Sequence, residues 1–133
     1  METGGSRSRV LLVDDEAPLL KMMSIYLQRL GYSVTTCATT DRACAEIAAN
    51  PDGFDIAVLD ASMEGLSMEE LARQMLAANP AMRVLGASGY PVDMSALEAA
   101  APGRVAFLLK PFTPQMLAAS LRRMLAAEKE EDL

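Results

Sequence analysis

Two rhythms of apolar residues alternate along this chain. Short unbroken apolar or β-branched runs at residues 10–13, 32–36, 55–60, 82–87 and 105–109 predict buried strands. Between them the apolar positions recur at helical spacing. Leu20, Met23, Leu27 and Leu30 follow Pro18, a residue suited to a first helical turn, and Gly31 supplies the stop. Residues 41–49 read as a second helix, closed by the turn at 50–53, and residues 68–78 as a third, stopped by Asn79-Pro80. Residues 94–101 form a short, Ala-rich fourth helix ended by Pro102-Gly103. The last helix covers residues 114–127, with Leu117, Leu121 and Met124 on one face.

Near-continuous apolar strands joined by helices imply a parallel sheet buried on both sides. Right-handed crossovers then leave few topologies. The expected fold is α/β, a three-layer, doubly wound (βα)5 sandwich with a five-stranded sheet in the order 2-1-3-4-5. A single domain is expected over residues 9–127, after a flexible lead-in at 1–8 and before a charged tail at 128–133.

Composition narrows the chemistry. The net charge of −6 argues against direct binding of nucleic acid or of an anionic membrane. No apolar run approaches the roughly 20 residues that span a bilayer, and the start lacks the apolar core of a secretory signal. Cys37 and Cys44 are the only cysteines, seven apart, and histidine is absent. A zinc site is therefore not expected, and the pair is read as two reduced thiols of a cytoplasmic protein. Without histidine, any chemistry must use carboxylates, lysine, hydroxyls and the backbone.

The acids sit where that chemistry belongs. Asp14 and Asp15 end the first strand and Asp60 ends the third. In the order 2-1-3-4-5 these strands flank the point where strand order reverses, the usual place for a site in such sheets. Ser88 and Lys110 end the fourth and fifth strands. Three carboxylates crowded together are costly unless a cation joins them. Oxygen ligands without His or Cys favour Mg²⁺, which pairs one or two carboxylates with a phosphoryl oxygen. A carboxylate can itself accept a phosphoryl group. Taken singly, each residue has a plainer reading. Asp14 and Asp15 suit a helix N-terminus, Asp60 suits a loop start, Ser88-Gly89 a turn, Lys110 a surface site and Phe107 the core.

Taken together, LLVDDE, DIAVLD, VLGASGY and FLLKPF, in this order and at strand ends, resemble the receiver domain of two-component response regulators. The likeness covers about residues 9–127 and implies a flavodoxin-like fold and these roles. Asp60 is the phosphoacceptor. Asp15 ligates Mg²⁺ (or Mn²⁺) directly, Asp14 mainly through water, and Asp60 and the Ser62 backbone carbonyl complete the protein ligands. Ser88 and Lys110 engage the phosphoryl group, Phe107 is the aromatic switch, and the Lys110–Pro111 bond is cis. Tyr90 tunes the access of water to the phosphoryl group. The partner is a histidine kinase or histidine phosphotransfer protein, with an unknown protein downstream, and the protein acts as a switch, not as an enzyme. A donor would dock on Ala17, Leu19 and Met22 with the Pro111-Phe112 loop, and the weak fourth helix suits an element that moves.

Two positions depart from the family pattern. Receivers commonly carry Pro four residues and Gly eight residues after the phosphoacceptor; here these are Glu64 and Met68, with Gly65 nearby to supply the turn. Alternative settings are a receiver excised from a hybrid histidine kinase or multidomain regulator, and a receiver-like module that never takes phosphate. A Mg²⁺-dependent aspartyl-phosphate phosphatase is a further alternative; it would want an acid two residues beyond the nucleophile, where this chain has Ser62.

Overall fold

The computed structural model describes residues 7–131, with side chains described through residue 126. Five strands alternate with five helices: β1 (Arg9–Val13), α1 (Ala17–Arg29), β2 (Ser33–Cys37), α2 (Thr40–Ala49), β3 (Ile56–Asp60), α3 (Met68–Ala78), β4 (Arg83–Ser88), α4 (Ser95–Ala100), β5 (Val105–Leu109) and α5 (Pro114–Glu131). All strand pairs are parallel, and the sheet order is β2-β1-β3-β4-β5, as the sequence pattern predicts. The last helix runs beyond residue 127 into the charged stretch. Residues 1–6 of the expected lead-in and 132–133 of the expected tail lie outside the described residues.

The unbroken apolar strands are explained by the two cores they serve. In β1, Leu11 and Val13 enter one cluster with Ala43 and Ile47 of α2 and Leu71, Ala72 and Met75 of α3. Val10 and Leu12, on the opposite face, enter a second cluster with Leu20, Met23 and Leu27 of α1 and Leu117 and Leu121 of α5. Successive strand residues point to opposite faces, so a strand covered on both sides has no polar position to spare. Full burial of each such side chain is worth roughly 1.5–3 kcal/mol.

Helix ends use local chemistry. Thr39 and Ser67 cap α2 and α3, their side-chain oxygens accepting from the N–H groups of Arg42 and Glu70. Gly31, at φ +102°, takes the left-handed conformation after α1 that glycine adopts most cheaply. α4 has only six residues and no side-chain N-cap.

The sheet is also tied at the edge opposite the acids. Asp55 accepts from the Arg9 backbone N–H at 2.7 Å and from its guanidinium at 3.2 and 3.0 Å. Burial alone would raise the Asp55 carboxyl, but the Arg9 contacts outweigh it and hold the group below the usual carboxylate range. The fold therefore favours the ionised form, so this contribution is full above about pH 4 and fades as pH falls through the lowered folded-state value. Asp55→Asn is expected to lower unfolding free energy by about 1 kcal/mol at pH 7, because the pair is partly exposed. Urea unfolding at pH 7 and pH 3 checks it: the difference between native and variant should shrink at the lower pH.

Candidate functional site

The parallel ladder delivers the acids to one edge. β1 and β3 are hydrogen-bonded neighbours, with Val13 opposite Leu59, so the residues that follow them emerge side by side. Each exit is pinned by backbone hydrogen bonds: Asp14 N–H donates to the Cys37 carbonyl at 3.1 Å, Ala61 to Ala87 at 2.7 Å, and Lys110 to Ser88 at 2.7 Å. As a result, carboxylate oxygens of Asp14, Asp15 and Asp60 all lie within 4.8 Å of one another. Asp14 and Asp60 are buried and Asp15 is exposed.

Lys110 closes the group from β5. Its Nζ lies 3.2 Å from Asp14 Oδ2 and 3.4 Å from Asp60 Oδ1. Burial pulls the Lys110 pKa down, but the two carboxylates outweigh it and leave it raised, so the ammonium form is held. Asp14 moves the other way for an acid: burial pushes its carboxyl up, and the Glu16 N–H and Lys110 only partly offset this. Asp14 Oδ1 also accepts from the Glu16 N–H at 2.9 Å and so shapes the turn before α1, whose N-cap residue is Glu16. The plainer reading of Asp14 as a helix N-cap therefore does not hold: α1 has no side-chain cap, and the two oxygens of Asp14 serve the turn and Lys110.

Asp60 is similarly divided. Oδ1 accepts from the Ser62 N–H at 3.1 Å and from the Ser62 hydroxyl at 2.9 Å, besides facing Lys110. Oδ2 is buried and has no hydrogen-bond partner among the described residues. Such an oxygen is costly to leave unmatched. It sits among hard oxygen donors with no nitrogen or sulfur ligand, so the residues present fit a divalent cation of the Mg²⁺ type.

From the sequence Ser62 is expected to have only a backbone role, whereas its hydroxyl also donates to Asp60; a hydroxyl two residues after an acid is the available signal for it. Ser88 is fully buried and its oxygen accepts from the Tyr90 N–H at 3.2 Å, leaving the hydroxyl proton free to donate elsewhere. The Lys110–Pro111 peptide bond is cis. Phe107 is half-buried and Tyr90 is 60% exposed. Glu64 is exposed, and its backbone carbonyl accepts from the Thr40 hydroxyl at 3.5 Å. The next residue, Gly65, has φ +98° and lies over Thr40, where a β-carbon would collide with that hydroxyl. Glycine makes this turn in the absence of the family's proline. Beside the acids a cavity of about 400 Å³ is lined by Glu16, Leu19, Gly89, Lys110, Pro111 and Phe112.

Residues 10–122 match the sequence profile of the response regulator receiver domain. The chain belongs to that family. This receiver is 31% identical over 129 residues to the alginate biosynthesis transcriptional regulatory protein AlgB of Pseudomonas aeruginosa, covering 97% of this chain and 27% of AlgB. It is 31% identical to the phosphate regulon transcriptional regulatory protein PhoB of the same organism, covering 87% of this chain and 51% of PhoB. The receiver thus spans between about a quarter and a half of these two regulators. Among solved structures, a CheY-like receiver domain protein from Methanospirillum hungatei superposes with a TM-score of 0.81 at 26% identity, covering 95% of this chain and 99% of that one. The receiver domain of the hybrid histidine kinase CckA shares the fold, with a TM-score of 0.75 at 24% identity and coverage of 89% and 99%. It is a receiver domain of the two-component response regulator type. No helix among its described residues is long and apolar enough to cross a membrane.

Lys110 is the counter-charge that faces both buried acids, so its removal should be felt in stability. Lys110→Ala is expected to cost about 2 kcal/mol at pH 7, a buried pair losing its cation but with some solvent access. Adding Asp60→Asn should recover part of that loss. Denaturant unfolding of the two single variants and the double variant measures the coupling, which additive effects would contradict.

Proposed function

We propose that Asp60 accepts a phosphoryl group from a phosphohistidine on a histidine kinase or histidine phosphotransfer protein, and that the modified site then changes the protein-binding surface. The observation that carries this reading is the buried, unpartnered Oδ2 of Asp60 beside the Lys110 ammonium. Oδ2 attacks phosphorus, the P–N bond to the donor imidazole breaks, and its electron pair leaves with the imidazole. Asp60 Oδ1 is held meanwhile by Ser62, which fixes the rotation of the carboxylate and aims Oδ2 at the donor.

Asp14, Asp15, Asp60 and the Ser62 backbone carbonyl would hold Mg²⁺ or Mn²⁺, with Asp14 acting mainly through water. A bound cation supplies charge neutralisation for the phosphoryl oxygens. Lys110 supplies the same from the other side, exchanging a carboxylate for a phosphoryl oxygen. The Ser88 hydroxyl donates to the attached group, and Phe107 moves inward as the switch, a shift between two populated states. The donor docks over Ala17, Leu19 and Met22 with the Pro111-Phe112 loop, next to the cavity beside the acids. Free thiols at Cys37 and Cys44 suit a cytoplasmic setting. The chemistry is the same for a stand-alone receiver and for one excised from a hybrid kinase or multidomain regulator. The phosphatase alternative is disfavoured because Ser62, two residues beyond Asp60, offers a hydroxyl spent on the nucleophile and no acid.

Intact-mass measurement after acetyl phosphate and Mg²⁺ is expected to add one phosphoryl group to the native chain and none to Asp60→Asn. Asp15→Asn should raise the Mg²⁺ concentration for half-maximal phosphorylation about tenfold or more, the scale of losing one good ligand. Phosphorylation of Asp60→Asn to the native extent would refute the assignment. Tyr90→Ala is expected to shorten the lifetime of the phosphoaspartate severalfold by opening the group to water; an unchanged lifetime removes that role.

A further inference from the structure

Gly86 lies at the centre of β4 and pairs with Leu59 of β3 on one side and Phe107 of β5 on the other. A β-carbon at Gly86 would stand 2.6 Å from Met68 Sδ, 3.2 Å from Met68 Cε and 3.2 Å from Met94 Cε. The space that a β4 side chain would fill is therefore taken by two thioether side chains. Met68, the first residue of α3, is 7% exposed, and Met94, just before α4, is half-buried. Both pack with the cluster on the α2–α3 face, as does Val105 of β5. Alternation along the strands puts Phe107 on the same face as Val105, and Ser88 on the same face as Gly86. Phe107, the β5 residue paired with Gly86, therefore shares the face of the covered patch, with Ser88 two residues further along β4 towards the acids.

We propose that Met68 and Met94 form a displaceable cover over Gly86, occupying the space that the Phe107 ring enters when the switch turns, so that their displacement sets the balance between the two states. The inference rests on Phe107 being the switch, and it adds the residues against which the switch works. The chemistry of the cover suits that task. Methionine is unbranched, turns about three side-chain bonds and makes favourable contacts with aromatic rings, so it can withdraw and then line the ring that replaces it. A β-branched residue on β4 would offer a fixed obstacle instead. Met68 also begins the helix that follows the loop after Asp60. A movement of that loop therefore reaches the cover directly. The methionine at the position where the family commonly has glycine is accommodated here by a glycine in the strand beneath it.

The test uses the full chain labelled with 4-fluorophenylalanine and read by ¹⁹F NMR, without any phosphodonor. There are three phenylalanines, and Phe54, 5% exposed, reports whether the core is intact. Met68→Ala and Met94→Ala open the space, so the inward fraction of Phe107 should rise about tenfold, seen as a moved resonance with a smaller H₂O/D₂O isotope shift. An unchanged Phe107 signal in both variants, with the Phe54 signal intact, overturns the proposal. Should a variant lose the Phe54 signal, Met68→Leu decides: its shorter reach gives a smaller change in the same direction, and no change overturns the proposal. A second arm adds acetyl phosphate and Mg²⁺. A mass gain of one phosphoryl group with Phe107 still outside overturns the cover, whereas no mass gain counts against Asp60 as acceptor and leaves the donor-free arm to decide the cover.

Discussion

The structure turns on a repulsion that it does not fully cancel. Two buried carboxylates and one exposed one are brought together, and a single ammonium faces the buried pair. Burial raises the Asp14 carboxyl, while the acids raise Lys110. The folded chain therefore carries local electrostatic cost at this edge and must meet it from elsewhere. Two apolar layers, one on each side of the sheet, supply that stabilisation. What remains uncancelled is chemically useful, because an excess of negative oxygen is what attracts a divalent cation.

Register makes this tension reproducible. The acids sit one residue past, or at the end of, neighbouring parallel strands, and side chains there have little freedom to separate. A slip of one residue in β3 would turn Asp60 to the other face and into an apolar layer. The backbone bonds at the strand exits oppose such a slip, as do the Arg9–Asp55 contacts at the far edge. Precision at one end of the sheet is thus maintained partly by polar contacts at the other.

The elements were legible because each apolar run ends in a polar residue of distinct chemistry. Asp14, Asp60, Ser88 and Lys110 mark the ends of four of the five predicted strands, and the predicted order makes them neighbours. Contacts between residues far apart in the chain were not legible. Lys110 and Asp14 are 96 positions apart, and Arg9 and Asp55 are 46 apart. Arg104 is a similar case: it donates to the carbonyls of Leu76, Asn79 and Met82 near the end of α3, which no local pattern announces. The division of labour between the two oxygens of Asp14, and of Asp60, also lies beyond sequence, since a one-letter code does not distinguish them. Element ends were less sharp, in strands as in helices: β2 and β4 are displaced by a residue and α5 runs on to Glu131, because where an element stops depends on the partners that the surrounding fold supplies.

The two hydrophobic layers never mix, since the sheet stands between them. The layer beneath α1 and α5 supports the surface around Met22 and Ile25, while the other supports Met68, Met94 and α4. Substitutions on one side are therefore insulated from the other by a wall of backbone. With donor docking on the first surface and switching on the second, as proposed, partner choice and the ease of switching become separately heritable traits in a lineage of such proteins, each free to drift without spoiling the other.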